Sequence, residues 1–180
     1  MLAWFIVACE IGFWIFVLAG LVARYVFHKK KLGAFLLICT PIVDVLLLIA
    51  AVIDLKNGAV ATTVHGIAAI YIGVSVAFGH QMIKWADIRF AYRFGNGPRP
   101  DKSKKYGKDF AKKERTGWYH HLIAWIVGVI ILGAIILYID NQTQTEALYQ
   151  TARLWTLVLG VDFLISFSYT IFPRKDPRTS

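Results

Sequence analysis

Three carboxylic acids, Glu10, Asp44 and Asp162, sit inside long apolar stretches of a 180-residue chain. An ionised acid in hydrocarbon costs at least about 2.5–3.5 kcal/mol on insertion scales, so each must face the protein interior, find a partner or stay protonated. No Lys or Arg interrupts those stretches. Acids that gather without a basic partner retain protons, because like charge and desolvation both disfavour ionisation. The chemistry such a group suits is proton exchange or cation binding. Candidate partners are His65, Thr40 one turn before Asp44, and Ser166 one turn after Asp162. The structural alternative is that each acid is neutral and hydrogen-bonds a neighbouring helix.

Depth along the stretches sharpens the first reading. Glu10, Asp44 and Asp162 lie eight or nine residues from the ends that the charge pattern below assigns to the outside, roughly 12–14 Å deep at about 1.5 Å per residue. His65 lies roughly 8 Å deep on the same scale. Three acids at one level on three helices imply a shared site, with His65 leaning toward it. A second polar layer is expected at the other end, made by His80, His120 and His121. Ser166, Tyr169 and Thr170 follow Asp162 at helical spacing and form one stripe between the layers. A proton relay through Ser166, Tyr169, His80, His120 and His121 is the resulting expectation. His80 with His120 or His121 also permits axial haem ligation. Histidine is ordinary at a membrane interface and no second pair stands opposite, so no cofactor is expected. No metal-ligand spacing, nucleophile motif or phosphate-binding loop is present, which leaves any metal unassigned and gives no enzyme reaction.

The elements that hold these residues are five apolar runs, about 2–22, 32–53, 60–83, 118–139 and 154–172. Each is long enough to cross about 30 Å of hydrocarbon as a helix. Mean hydropathy of +0.56 and 57% hydrophobic residues are too apolar for a soluble domain of this size. Of 20 Lys and Arg, all but Lys56 and Arg153 fall in the first and third loops or the tail. Basic loops are retained in the cytoplasm, so the expected topology is N-terminus outside and C-terminus inside. The first run has no basic start and reads as a signal anchor rather than a cleaved leader. Net charge of +9 needs no nucleic-acid partner, since retention of basic loops explains most of it.

Short loops one, two and four make consecutive helices antiparallel neighbours in one transmembrane domain covering residues 1–180. Pro41 should kink the second helix and free the carbonyl of Leu37. Gly66, Ala69, Gly73, Ala77 and His80 form a stripe on the third helix, and His121, Ala124 and Gly128 one on the fourth; small residues there allow close helix approach. Cys9 and Cys39 are expected near opposite faces as unpaired thiols. Loop 84–117 extends the third helix through Lys84–Phe94, breaks at 95–100, and then forms a short cytoplasmic surface helix over Lys102–Thr116. Its Lys102, Lys104, Lys105, Lys108, Lys112, Lys113 and Arg115 suit anionic lipid headgroups or an acidic partner. The competing reading is a solvated topology anchor.

Four segments carry a resemblance: Glu10-Ile11-Gly12-Phe13-Trp14, Cys39-Thr40-Pro41-Ile42-Val43-Asp44, Gly79-His80-Gln81-Met82-Ile83-Lys84-Trp85-Ala86-Asp87 and Asp162-Phe163-Leu164-Ile165-Ser166-Phe167-Ser168-Tyr169. Through them most of the chain resembles the YmcC-like group of small, uncharacterised multi-pass proteins of Bacillus-type bacteria. The resemblance implies a bacterial plasma-membrane location and brings no activity with it.

The expected protein is an all-α, five-helix membrane bundle. Its leading function is a proton- or cation-binding transporter or transport accessory using Glu10, Asp44, Asp162 and His65. The other reading is a non-catalytic envelope scaffold docking lipid or a partner through the basic loop. Membrane lipids are the expected partners, with homo-oligomerisation compatible with so small a scaffold.

Overall fold

The computed structural model describes residues 2–94, 98–100 and 106–173. In α1 and at its junction with α2, several side chains, those of Cys9 and Glu10 among them, lie outside that description. Five helices follow in order: α1 (Leu2–Tyr25), α2 (Lys30–Lys56), α3 (Thr63–Phe94), α4 (Gly107–Ile139) and α5 (Gln142–Ile171). No strand occurs among the described residues. Helices α2 to α5 are each long and apolar enough to cross a membrane; the described apolar part of α1, Ile11–Tyr25, is shorter. Large hydrophobic side chains such as Trp14, Leu46, Ile130 and Leu164 stand exposed around the bundle. That is the surface a protein presents to acyl chains rather than to water.

Successive helices are antiparallel, so α1, α3 and α5 end where α2 and α4 begin. This is the basic end, and the other is the opposite end. Glycines set the close approaches. A Cβ on Gly33 of α2 would lie 2.6 Å from the Gly20 carbonyl oxygen of α1. One on Gly66 of α3 would lie 2.5 Å from the Thr151 hydroxyl of α5. Gly73 of α3 sits against the Ala124 carbonyl of α4, and Gly128 of α4 lies under the Trp155 ring of α5. Small residues let backbones meet where hydrophobic exclusion from water gives no drive. Helix α3 is the hub, packing on every other helix.

The opposite end is tied most firmly. Leu55, Ala61, Ala69, Leu132, Ile135 and Leu148 form a buried cluster there. The Gln144 amide donates to the Leu55 carbonyl and, at 2.6 Å, to that of Ala59, while the Ala61 N–H reaches the Gln144 carbonyl at 2.8 Å. The α2–α3 loop therefore has its backbone groups answered by the start of α5.

Two expectations about helix limits change. The basic segment before residue 118 is no separate surface helix: α4 runs unbroken from Gly107. Phe110 packs edge-on against Tyr169 with ring centroids 4.9 Å apart, Ala111 is buried, and Arg115 donates to the Thr170 hydroxyl at 2.8 Å. Those contacts clamp the extension to α5, so nothing bends it away at Gly117. Helix α5 begins at Gln142, well before Leu154. Asn141 caps it by accepting the Gln144 N–H at 3.1 Å, and Thr145, Leu148 and Thr151 are buried. Polar composition hid those first turns from a reading based on hydropathy.

Pro41 does not interrupt α2. The Leu37 carbonyl, which loses its backbone donor at the proline, accepts the Thr40 hydroxyl at 2.8 Å instead.

Candidate functional site

The start of α5 moves Asp162. It lies 20 residues after Gln142, about 30 Å along the helix, whereas Asp44 lies 12 residues before Lys56, about 18 Å from that end. The two acids are not at one level. Helix α5 packs on α4 and α3, and its described contacts with α2 are those around Gln144 and Leu148 at the opposite end. No shared acid site forms from Asp44 and Asp162. The Glu10 side chain lies outside the described residues.

Each acid has found a different partner. Asp44 is 8% exposed at the centre of α2, and its Oδ2 accepts the Ser75 hydroxyl of α3 at 2.8 Å. Thr40, the expected partner one turn earlier, is committed to the Leu37 carbonyl. Asp162 meets His121 of α4, with Oδ2 at 2.6 Å from Nδ1. Its Oδ1 is 3.4 Å from the Ser166 hydroxyl one turn on, a weak donor contact. A carboxylate oxygen accepts, so His121 Nδ1 carries the shared proton or Asp162 does. The His121 side chain is 51% exposed and that of Asp162 29%, so the pair lies along the rim of the α4–α5 seam.

Aromatic rings frame this pair. Phe78 of α3 stacks at a tilt on His121, at 5.1 Å, and on His120, at 5.6 Å. Trp118 contacts Phe163 and Phe167 edge-on and donates its indole N–H to the Leu159 carbonyl at 3.3 Å. His120 is committed elsewhere. Its Nδ1 donates to the Thr116 carbonyl at 2.7 Å, which leaves Nε2 to accept the Gln81 amide at 2.5 Å. Gln81 was not legible as a partner, because 39 residues of sequence separate the two. Of the expected relay, Ser166 and His121 reach Asp162. Tyr169 packs on Phe110, and His80 stands exposed on α3.

His65 is buried at the opposite end and serves the start of α3. Its Nδ1 accepts the Thr62 N–H at 3.1 Å and has the Thr62 hydroxyl at 3.0 Å. The proton therefore sits on Nε2, which faces Asp54 Oδ2 at 3.4 Å without hydrogen-bond alignment. Asp54, in the last turn of α2, replaces the intramembrane acids as the neighbour of His65. Nothing local in the sequence marks that pairing.

At the basic end, Lys108, Lys112 and Lys113 are exposed on the α4 extension, and Arg115 is turned in to Thr170. Lys102, Lys104 and Lys105 lie outside the described residues. Arg24 of α1 pairs with Asp87 of α3 at 3.2 Å, and Arg89 lies over the Trp85 ring at 3.6 Å. No group of three or more His, Cys, Asp or Glu side chains placed to hold a metal ion occurs among the described residues.

The chain is 46% identical to the Bacillus subtilis protein called "Uncharacterized membrane protein YmcC", over 180 residues covering 99% of this chain and 96% of that one. The chain belongs to the YmcC-like family of membrane proteins. No family model matches it. No solved structure matches it. YmcC-like membership and the apolar helices together make this a multi-pass membrane protein.

Proposed function

We propose that this YmcC-like protein is a small proton-binding membrane component, a transporter or transport accessory, whose site is the His121–Asp162 pair. In this reading α1 to α5 all span the bacterial plasma membrane, with the N-terminus outside and the basic end in the cytoplasm. The asymmetry of Lys and Arg between the two ends supports that orientation.

The observation that carries the reading is the 2.6 Å contact between His121 Nδ1 and Asp162 Oδ2 across the α4–α5 seam. A histidine beside a carboxylate is a pair that gains and loses a proton without leaving either group isolated in the membrane. Both side chains are partly exposed at the rim of the α4–α5 seam. Ser166 makes a weak contact, at 3.4 Å, to the second carboxylate oxygen. Intramembrane acids of this kind mark proton and ion pathways in other membrane proteins.

Purified protein in vesicles with an imposed pH gradient tests the reading. Faster gradient decay with the wild-type chain, lost in Asp162→Asn and His121→Gln, is the expected result. Decay that survives both changes overturns it.

A second reading is favoured by the basic extension of α4. Lys108, Lys112 and Lys113 are exposed on a helix clamped to α5, so their charge is presented on a fixed frame. A docking component would use it to bind anionic headgroups. Native mass spectrometry with phosphatidylglycerol checks this. Retained lipid should fall when the three lysines are changed together to Gln.

A further inference from the structure

The α2–α3 seam holds a feature that the proton-binding reading leaves unused. Beside Asp44 a cleft of about 200 Å³ is lined by Pro41, Asp44, Val45, Ile72, Ser75 and Val76. Pro41, Val45 and Val76 are exposed, so the cleft opens sideways, on the face that meets acyl chains. Its wall is apolar except where Asp44 and Ser75 meet at 2.8 Å. The Ser75 hydroxyl bonds Asp44 through Oδ2, and both residues line the cleft. A carboxyl nine-tenths buried at the wall of an apolar recess is a polar anchor at the end of a hydrophobic slot.

We propose that this cleft binds an uncharged aliphatic alcohol dissolved in the acyl layer, with its hydroxyl on Asp44 and its chain between Val45 and Val76. Three observations select that chemistry. The lining carries no second charge and no basic group, so it offers an anion nothing. A hydroxyl both donates and accepts, so it serves Asp44 whether the acid is ionised or neutral, which an ammonium does not. Asp44 is about 18 Å along α2 from its nearer end, too deep for a headgroup anchored at the surface, so the ligand is one that moves within the hydrocarbon. The volume is below the roughly 300 Å³ of drug-sized pockets, and one alkyl arm fills it.

Photolabelling tests the site in the full-length protein in vesicles, with an octanol carrying a diazirine as probe. The expected result is an adduct at Asp44 or at Val45 and Val76, suppressed at least tenfold by excess octanol. Asp44→Leu should remove it. Val76→Trp should remove it as well, by filling the mouth from an exposed position. Two results overturn the proposal. One is the absence of an adduct at these residues. The other is labelling that spreads evenly over lipid-facing residues such as Leu46 and Ile49 and is unchanged by octanol or Val76→Trp. Gradient decay through His121 and Asp162 is read separately, so failure of either proposal leaves the other standing.

Discussion

Asp44 and Asp162 began as equivalent residues, single acids in apolar helices, and the fold has made them opposites. Asp44 is buried at the middle of α2 against a hydroxyl that does not titrate near neutrality. Asp162 stands partly exposed on α5 against the His121 imidazole. The two proposals give the first a neutral ligand and the second a proton. The partners differ in kind: a serine hydroxyl is a neutral hydrogen-bonding group, whereas an imidazole is a group able to carry charge.

The sharpest way to separate the two regions is to break one seam. Gly128→Leu should drive a side chain into the Trp155 ring and part α4 from α5. A loss of about 3 kcal/mol or more is expected from such overpacking, seen as a lowered unfolding midpoint in detergent. Gradient decay should vanish while octanol photolabelling at Asp44 persists, because the α2–α3 contact does not involve Gly128. Loss of both signals would mean that the bundle unfolds as one unit and that the regions are not independent.

Removing one acid at a time gives a smaller contrast. Asp162→Asn replaces the carboxyl by an amide and weakens its bond to His121 between helices, which should cost about 1 kcal/mol, discounted for its exposure. Asp44→Asn keeps an acceptor for the Ser75 hydroxyl and should change stability by no more than about 0.5 kcal/mol. Equal losses in the two variants, measured by thermal unfolding, would show that Asp44 does more than accept one bond.

Ser75→Ala should cost about 0.6 kcal/mol, the usual size of an interhelical polar contact in a membrane bundle. A double-mutant cycle with Asp44→Leu, which removes the acceptor, reads the coupling. Smallest is Thr40→Val. It removes the hydroxyl that satisfies the Leu37 carbonyl ahead of Pro41. Roughly 0.5 kcal/mol is expected, with more of it in helix bending than in unfolding. An effect as large as that of Ser75→Ala would tie the proline to the shape of the cleft.

Much of the fold was legible from the runs of apolar residues and the placement of Lys and Arg. Glycine stripes marked seams that the structure uses, at Gly66, Gly73 and Gly128. The start of α5 was not legible, because Gln142 to Arg153 read as a polar loop by hydropathy. Their helix rests on the Asn141 cap and on burial of Thr145, Leu148 and Thr151, and burial is a property of neighbours. That misplaced start alone put Asp162 at the level of Asp44. The continuous α4 was missed for a similar reason: Phe110 and Arg115 find Tyr169 and Thr170 more than 50 residues away in sequence.

By itself the sequence determined that this chain lives in a membrane as helices, which end carries the positive charge, and which few polar groups must be answered inside. Those are matters of composition and length, set by the cost of bare backbone and bare charge in hydrocarbon. Only the tertiary structure decided which helix answers which acid: Ser75 for Asp44, His121 for Asp162, Asp54 beside His65. Every one of those choices depends on helix register and rotation. Close packing at a few glycines sets both, and no local pattern records them.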